Sequence, residues 1–150
     1  MVELFAKLFG FIAREVVETC GETGRGALVR AVERFGEERG QGIAQRAKLR
    51  GLSNTPENYL ASYDMDRSSD FASVADIKDG ELEQVFSRCA IARQFASDGL
   101  EQYGRLYCDN IDPALARGFN PDMECLHPEH FFDNGCCRFI FRIAKEKKND

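Results

Sequence analysis

The sequence has no tryptophan, no excess of positive charge and no long uncharged apolar run, and each absence narrows what the chain can do. Lys and Arg number 20 against 25 Asp and Glu, for a net charge of -5. Nucleic-acid binding draws its affinity from a basic stripe, so neither DNA nor RNA is an expected partner. The apolar N-terminal stretch is interrupted by Glu3, Lys7, Arg14, Glu15 and Glu18. A bilayer span needs about 20 predominantly apolar residues, and a signal peptide needs an uncharged core with a small-residue cleavage site. Neither is found, so the expectation is a cytoplasmic protein that does not engage a membrane. There is also no C-x-x-C pair, no H-E-x-x-H motif, no internal repeat and no low-complexity segment.

What is present is ordinary globular material. The 150 residues suit a single domain, and twelve phenylalanines among 43% hydrophobic residues predict a Phe-rich core. Six cysteines stand at 20, 89, 108, 125, 136 and 137. Without a secretion signal the reducing cytosol is the expected setting, so these are read as free thiols. Most free thiols simply pack as small hydrophobes.

Residues 1–52 read as a helical hairpin. Phe5, Leu8, Phe9, Ile12 and Val16 recur at helical spacing up to about Thr19, where Gly21 supplies a stop. Thr23 is the N-cap of a second helix, whose face is Leu28, Ala31, Val32, Phe35, Ile43, Ala44 and Ala47. Gly36, Gly40 and Gly42 each weaken that helix by roughly 1 kcal/mol relative to Ala. Close approach of another backbone or a ligand is the expected compensation, with a kink as the alternative.

Residues 53–70 are polar, contain Pro56 and read as a loop. Residues 71–143 form an α+β segment. Phe71 to Lys78 is an expected strand. Glu81 to Cys89 fits a helix through Leu82, Val85, Phe86 and Cys89, and equally a strand that delivers Cys89 at its end. Ile91 to Tyr107 is helical in pattern with a break at Asp98-Gly99. Pro113 suits the first turn of a further short helix capped by Asp112 and stopped by Gly118. Two strands follow, 122–128 and 136–143, joined by Asp133-Asn134-Gly135 as a tight hairpin turn. Residues 144–150 are a charged tail. The expected class is therefore α+β, with the helical hairpin and further helices packed on a small antiparallel sheet that ends in a C-terminal β-hairpin.

Three places carry groups able to do chemistry. Alternation along the last strand puts Cys137, Phe139, Phe141 and Ile143 on one face and Cys136, Arg138, Ile140 and Arg142 on the other. Cys137 then points into the apolar layer, and Cys136 lies beside two arginines on a wetter, electropositive face. In the preceding strand Met123, Cys125 and His127 share a face, and with His130 nearby this invites a divalent metal such as zinc. Cys125 and His127 are its expected ligands if Cys137 or Cys108 converges on them. In Tyr107-Cys108-Asp109-Asn110-Ile111-Asp112, a helical course places Cys108 and Asp112 on one face. A carboxylate raises the pKa of a neighbouring thiol, so the pair suits a base and a nucleophile used in different protonation states. The structural alternative is that Asp112 only caps the Pro113 helix while Cys108 packs.

In order, Cys89 after a possible strand, Tyr107-Cys108 with Asp112, Gly118-Phe119-Asn120-Pro121, and Gly135 with Cys137-Arg138-Phe139 resemble the L-2-amino-thiazoline-4-carboxylic acid hydrolase family. Family segments usually read Gly-Asp before the last strand, where this chain has Asn134-Gly135-Cys136. The resemblance implies hydrolytic opening of a carbon-nitrogen bond in a cyclic amidine or thiazoline, with a small molecule as substrate. That reaction needs a nucleophile at the ring carbon, a proton-transfer group and a cation for the substrate carboxylate. It casts Cys108 as nucleophile or ligand and Asp112 as general base. Cys89, Tyr107 and Cys137 become pocket residues, and Arg138 the carboxylate partner. No cofactor is expected beyond the metal alternative above, and homo-oligomerisation stays open. A more distant similarity to the 4-vinyl reductase and haem-NO-binding class of α+β domains supplies the rival reading, a non-catalytic sensor, carrier or assembly module.

Overall fold

The computed structural model describes residues 1–65 and 69–144. All of the expected charged tail except Ala144, and part of the expected polar loop, lie outside the described residues.

Helix α1 (Val2–Leu49) is broken at Gly21, whose φ of 58° and ψ of -141° are not helical. Glycine tolerates this conformation because it has no Cβ. The break reverses the chain. Val16 and Gly24 would lie about 12 Å apart along a continuous helix rising ~1.5 Å per residue, yet a Cβ built on Gly24 falls 2.6 Å from the Val16 carbonyl oxygen. The predicted hairpin is therefore present as two arms.

The arms pack chiefly on α4 (Glu101–Phe119), which follows α3 (Ala90–Ser97) across the expected break. A Cβ on Gly40 would lie 2.3 Å from the Leu115 carbonyl oxygen, and one on Gly36 would lie 2.6 Å from the Ala114 methyl. Gly118 mirrors them from α4, 2.2 Å from the Glu37 carbonyl oxygen. Close backbone approach thus explains Gly36 and Gly40, whereas Gly42 faces open space.

Three expectations need correction. The segment read as a loop contains α2 (Pro56–Tyr59) and a 3-10 turn, Leu60–Ser62. Pro56 presets the first helical residue, and buried Tyr59 anchors the segment between Tyr63, Phe119 and Phe141. Secondly, α4 continues through Pro113 instead of restarting there. An interior proline costs roughly 3 kcal/mol, and burial of Ile111, Ala114, Leu115 and Ala116 around it offsets that cost. Asp112 is consequently not a helix cap. Thirdly, a one-turn helix, α5 (Phe131–Asn134), joins the last two strands in place of a tight turn. Gly135, at φ 79°, serves as its left-handed C-cap, and its N–H donates to the Phe131 carbonyl at 2.9 Å.

The sheet has the order β1-β2-β4-β3 and is antiparallel throughout, with β1 (Phe71–Lys78), β2 (Glu81–Cys89), β3 (Met123–Glu129) and β4 (Cys137–Ile143). The ambiguous segment 81–89 is a strand because it is paired on both sides, Phe71 to Lys78 on one and Cys137 to Phe141 on the other. Asp79 and Gly80, both at positive φ, make the two-residue turn between β1 and β2. One face of the sheet buries Leu82, Met123, Cys125, Cys137, Phe139 and Phe141 against Ile111, Leu115 and Phe119 of α4 and Val32, Ile43 and Ala47 of α1. A second cluster, including Ala6, Ala13, Phe95, Leu100 and Leu106, joins the N-terminal arm to α3 and α4. Among the described residues no helix is long and apolar enough to cross a membrane.

Candidate functional site

Where α4 passes over the inner face of the sheet, the layers part around a cavity of about 100 Å³. Each wall follows from a local pattern. Helical spacing along α4 turns Tyr107, Cys108 and Asp112 towards it, strand alternation turns Cys137 and Phe139 inward, and β2 brings Cys89 to its edge. Five residues singled out from the sequence, Cys89, Tyr107, Cys108, Asp112 and Cys137, thus line one space.

Arg138 does not. It lies on the opposite face of the sheet, where its Nε donates to Glu83 Oε1 at 2.7 Å. Alternation from the inward Cys137 requires this. Among the described residues, the arginine that lines the cavity is Arg39, on the second arm of α1. Its Nε and Nη2 donate to the two carboxylate oxygens of Asp64, both at 2.8 Å. The sequence held one sign of it: Arg39 lies three residues after Gly36 and four before Ile43, a charge among the buried positions of that helix. A second, more open cavity lined by Val2, Phe5 and Phe35 adjoins the first and shares Arg39, Met65, Ile91 and Tyr107 with it.

Burial governs the electrostatics. It pushes the Asp112 carboxyl up to about 6, with the Arg39 charge pulling the other way. Burial also drives Cys108 well above the ordinary thiol range, reinforced by Cys89, Cys137 and Asp112. Cys137 is pushed up to about 12 for the same reason, and Cys89 is raised as well. Burial would favour the neutral Asp64, but the hydrogen bonds and charge of Arg39 prevail and hold its carboxyl below its usual value. At neutral pH the described lining of the cavity therefore offers the Arg39 side of an ion pair, three neutral thiols and a half-buried carboxylate that titrates near physiological pH.

The other singled-out residues fall elsewhere. Cys136 precedes β4, and its thiol lies 3.2 Å from Glu129 Oε2, which raises its pKa. Its surroundings are not electropositive, because Arg138 and Arg142 are paired with Glu83 and Glu124. Cys125 does not join His127 in a group of three or more metal-binding side chains among the described residues. The strand register shifts between Leu126 and Glu129, and the His127 ring stacks on Phe139 at 4.2 Å. The metal-binding atoms that approach one another among the described residues belong to Asp109, His127 and His130.

Helices on one face of a four-stranded antiparallel sheet, enclosing a cavity lined among the described residues by thiols, one carboxylate and one arginine, define an α+β pocket protein. The family model described as L-2-amino-thiazoline-4-carboxylic acid hydrolase matches residues 1–141, and the chain belongs to that family. The match takes in the N-terminal hairpin as well as the C-terminal motifs. No curated protein matches the sequence. Among solved structures, a trafficking protein particle complex subunit 3 from Naegleria fowleri, covalently bound to palmitic acid, is similar at a TM-score of 0.57. The two share 17% sequence identity over 96% of this chain and 95% of that one, which is a likeness of fold.

Proposed function

We propose that the cavity hydrolyses a small cyclic amidine or thiazoline that carries a carboxylate, with Asp112 as general base and Arg39 as the carboxylate partner. The position of Asp112 carries this reading: a carboxylate inside an apolar cavity, one helical turn from Cys108 and within the field of one arginine. A general base works best with a pKa near the operating pH, and desolvation supplies that here.

Water is the nucleophile that fits. Its oxygen bonds to the amidine carbon, its proton passes to Asp112, and the carbon-nitrogen π pair moves onto the ring nitrogen. Asp112 gives that proton to the ring nitrogen and accepts the remaining hydroxyl proton as the carbon becomes a carbonyl. The ring carbon-nitrogen bond breaks, and the second proton passes from Asp112 to the nitrogen, which leaves as an amine. Cys108 and Cys137 form the wall beside the ring. In apolar surroundings they remain S–H, which weakens the assignment of Cys108 as a thiolate nucleophile. The test is turnover of 2-amino-thiazoline-4-carboxylate by wild type, Asp112→Asn and Cys108→Ser. Loss in the first variant and retention in the second support water attack. Absence of ring opening by wild type overturns the hydrolase reading.

A second reading rests on the apolar walls, where Phe71, Phe86 and Phe139 line the first cavity and Phe5 and Phe35 the adjoining one. The similar fold that holds palmitic acid covalently makes a thiol-anchored acyl chain the natural non-catalytic occupant. Intact mass of freshly purified protein, before and after hydroxylamine, decides between them: an added acyl mass that hydroxylamine removes favours this reading.

A further inference from the structure

Next to the cavity, where His127 stacks on the Phe139 ring that lines it, Asp109 of α4, His127 of β3 and His130 at the N-cap of α5 meet. We propose that these three side chains form a binding site for a divalent transition-metal ion. One ligand atom from each lies within 4.8 Å of the others. His130 Nε2 is 2.9 Å from Asp109 Oδ1, and ligands held about 2.1 Å from an ion at a right angle stand about 3 Å apart.

Hydrogen bonding gives independent support. His130 is 7% exposed, and its Nε2 faces the Asp109 carboxylate. His127 Nε2 is buried without a partner. Buried polar atoms are nearly always satisfied, and one ion would use both nitrogens and the carboxylate together. The rings are already held in place: His127 stacks on Phe139, His130 stacks on Phe132 at 4.9 Å, and the two imidazoles lie 4.6 Å apart. Aromatic support of this kind orients ligands before the ion arrives.

Two imidazoles and one carboxylate suit zinc, cobalt, nickel, manganese or ferrous iron better than calcium or magnesium. The Asp109 side chain is 46% exposed, which leaves a route in and open positions for water. Binding also has a local consequence. His130 Nδ1 accepts from the Phe132 N–H at 3.3 Å, so His130 Nε2 carries the ring proton. An ion at Nε2 moves that proton to Nδ1 and displaces the Phe132 contact, loosening the first turn of α5.

Metal-free protein titrated with cobalt(II) under reducing conditions tests the site. The expected result is one ion per chain, with a visible spectrum that lacks thiolate-to-cobalt charge transfer. Affinity should fall at least about tenfold in Asp109→Asn and in His130→Gln. Asp109 is exposed enough for its variant to fold, which a thermal melt without metal verifies. The chain has two histidines, so both imidazole NMR signals can be assigned, and both should broaden with substoichiometric cobalt. A thiolate band, undiminished binding by Asp109→Asn, unbroadened imidazoles, or no uptake at millimolar cobalt would each overturn the site.

Discussion

The cavity and the neighbouring histidine group, which share the Phe139 ring, differ in how their ionisable groups meet water. On the cavity side, Asp112 and three thiols are half-buried or buried among apolar walls, beside the Arg39 guanidinium that Asp64 holds in place. In the histidine group, Asp109 reaches the surface while two histidine nitrogens stay buried. The first arrangement perturbs a proton equilibrium and suits acid–base chemistry. The second assembles lone pairs and suits an ion. Nearby groups of similar composition thus acquire different capacities from which atoms are desolvated and which are left unpaired.

Substitutions can break or sharpen this contrast. Asp112→Asn should have the largest effect, lowering turnover on the order of 10²–10⁴-fold, the usual share of a general base. It should also stabilise the fold at neutral pH. The folded carboxyl titrates near 6 against an ordinary 3.8, so its contribution is full below about pH 4 and is lost as pH rises through 6. That difference is roughly 3 kcal/mol at 1.36 kcal/mol per pH unit, and urea unfolding of wild type and variant at acid and neutral pH would measure it.

Phe139→Ala removes the ring that the two sites share. Truncating a buried phenylalanine costs about 3–5 kcal/mol, and here it should also weaken cobalt binding because His127 loses its stacking partner. Calorimetric unfolding and cobalt titration of the same sample report both. Arg39→Met should raise KM for a carboxylate substrate by roughly tenfold, with a smaller change in kcat, if the arginine binds substrate uniformly through the reaction. Steady-state kinetics with a decarboxylated analogue is the control, since that substrate should be indifferent to the change. The smallest effect belongs to Arg138→Met. Its ion pair with Glu83 lies at the surface of the outer face, where such pairs contribute about 0–1 kcal/mol, and turnover should be unchanged.

Asn134-Gly135 and Asp79-Gly80 show how far local signals reach. Both dipeptides carry the chemistry of a tight hairpin turn, yet only the second makes one; the first ends a helical turn. Left-handed backbone is required in both cases, and the dipeptide reports only that requirement. Arg39 was hard to see for a related reason: helical phase placed it among buried positions, but Asp64, which makes its burial tolerable, is 25 residues away. The sequence suggested His127 and His130 as neighbours of a metal, with Cys125 as a ligand, but the part of Asp109 was hidden, because it depends on a register shift beside Pro128 and on α5 replacing a turn.

By itself, then, the sequence determined the α+β character, the reversal at Gly21, the close approach at Gly36 and Gly40, the bounds of β1, the break at Gly99 and the inward face of Cys137. Each depends on periodicity or on a single residue's backbone preference, which act over a few neighbours. Tertiary structure decided that residues 81–89 are a strand, that Pro113 lies inside a helix, that Arg39 replaces Arg138 at the cavity, and that the two histidines meet Asp109. These outcomes depend on pairing and burial between distant segments, where desolvation and packing outweigh local preference.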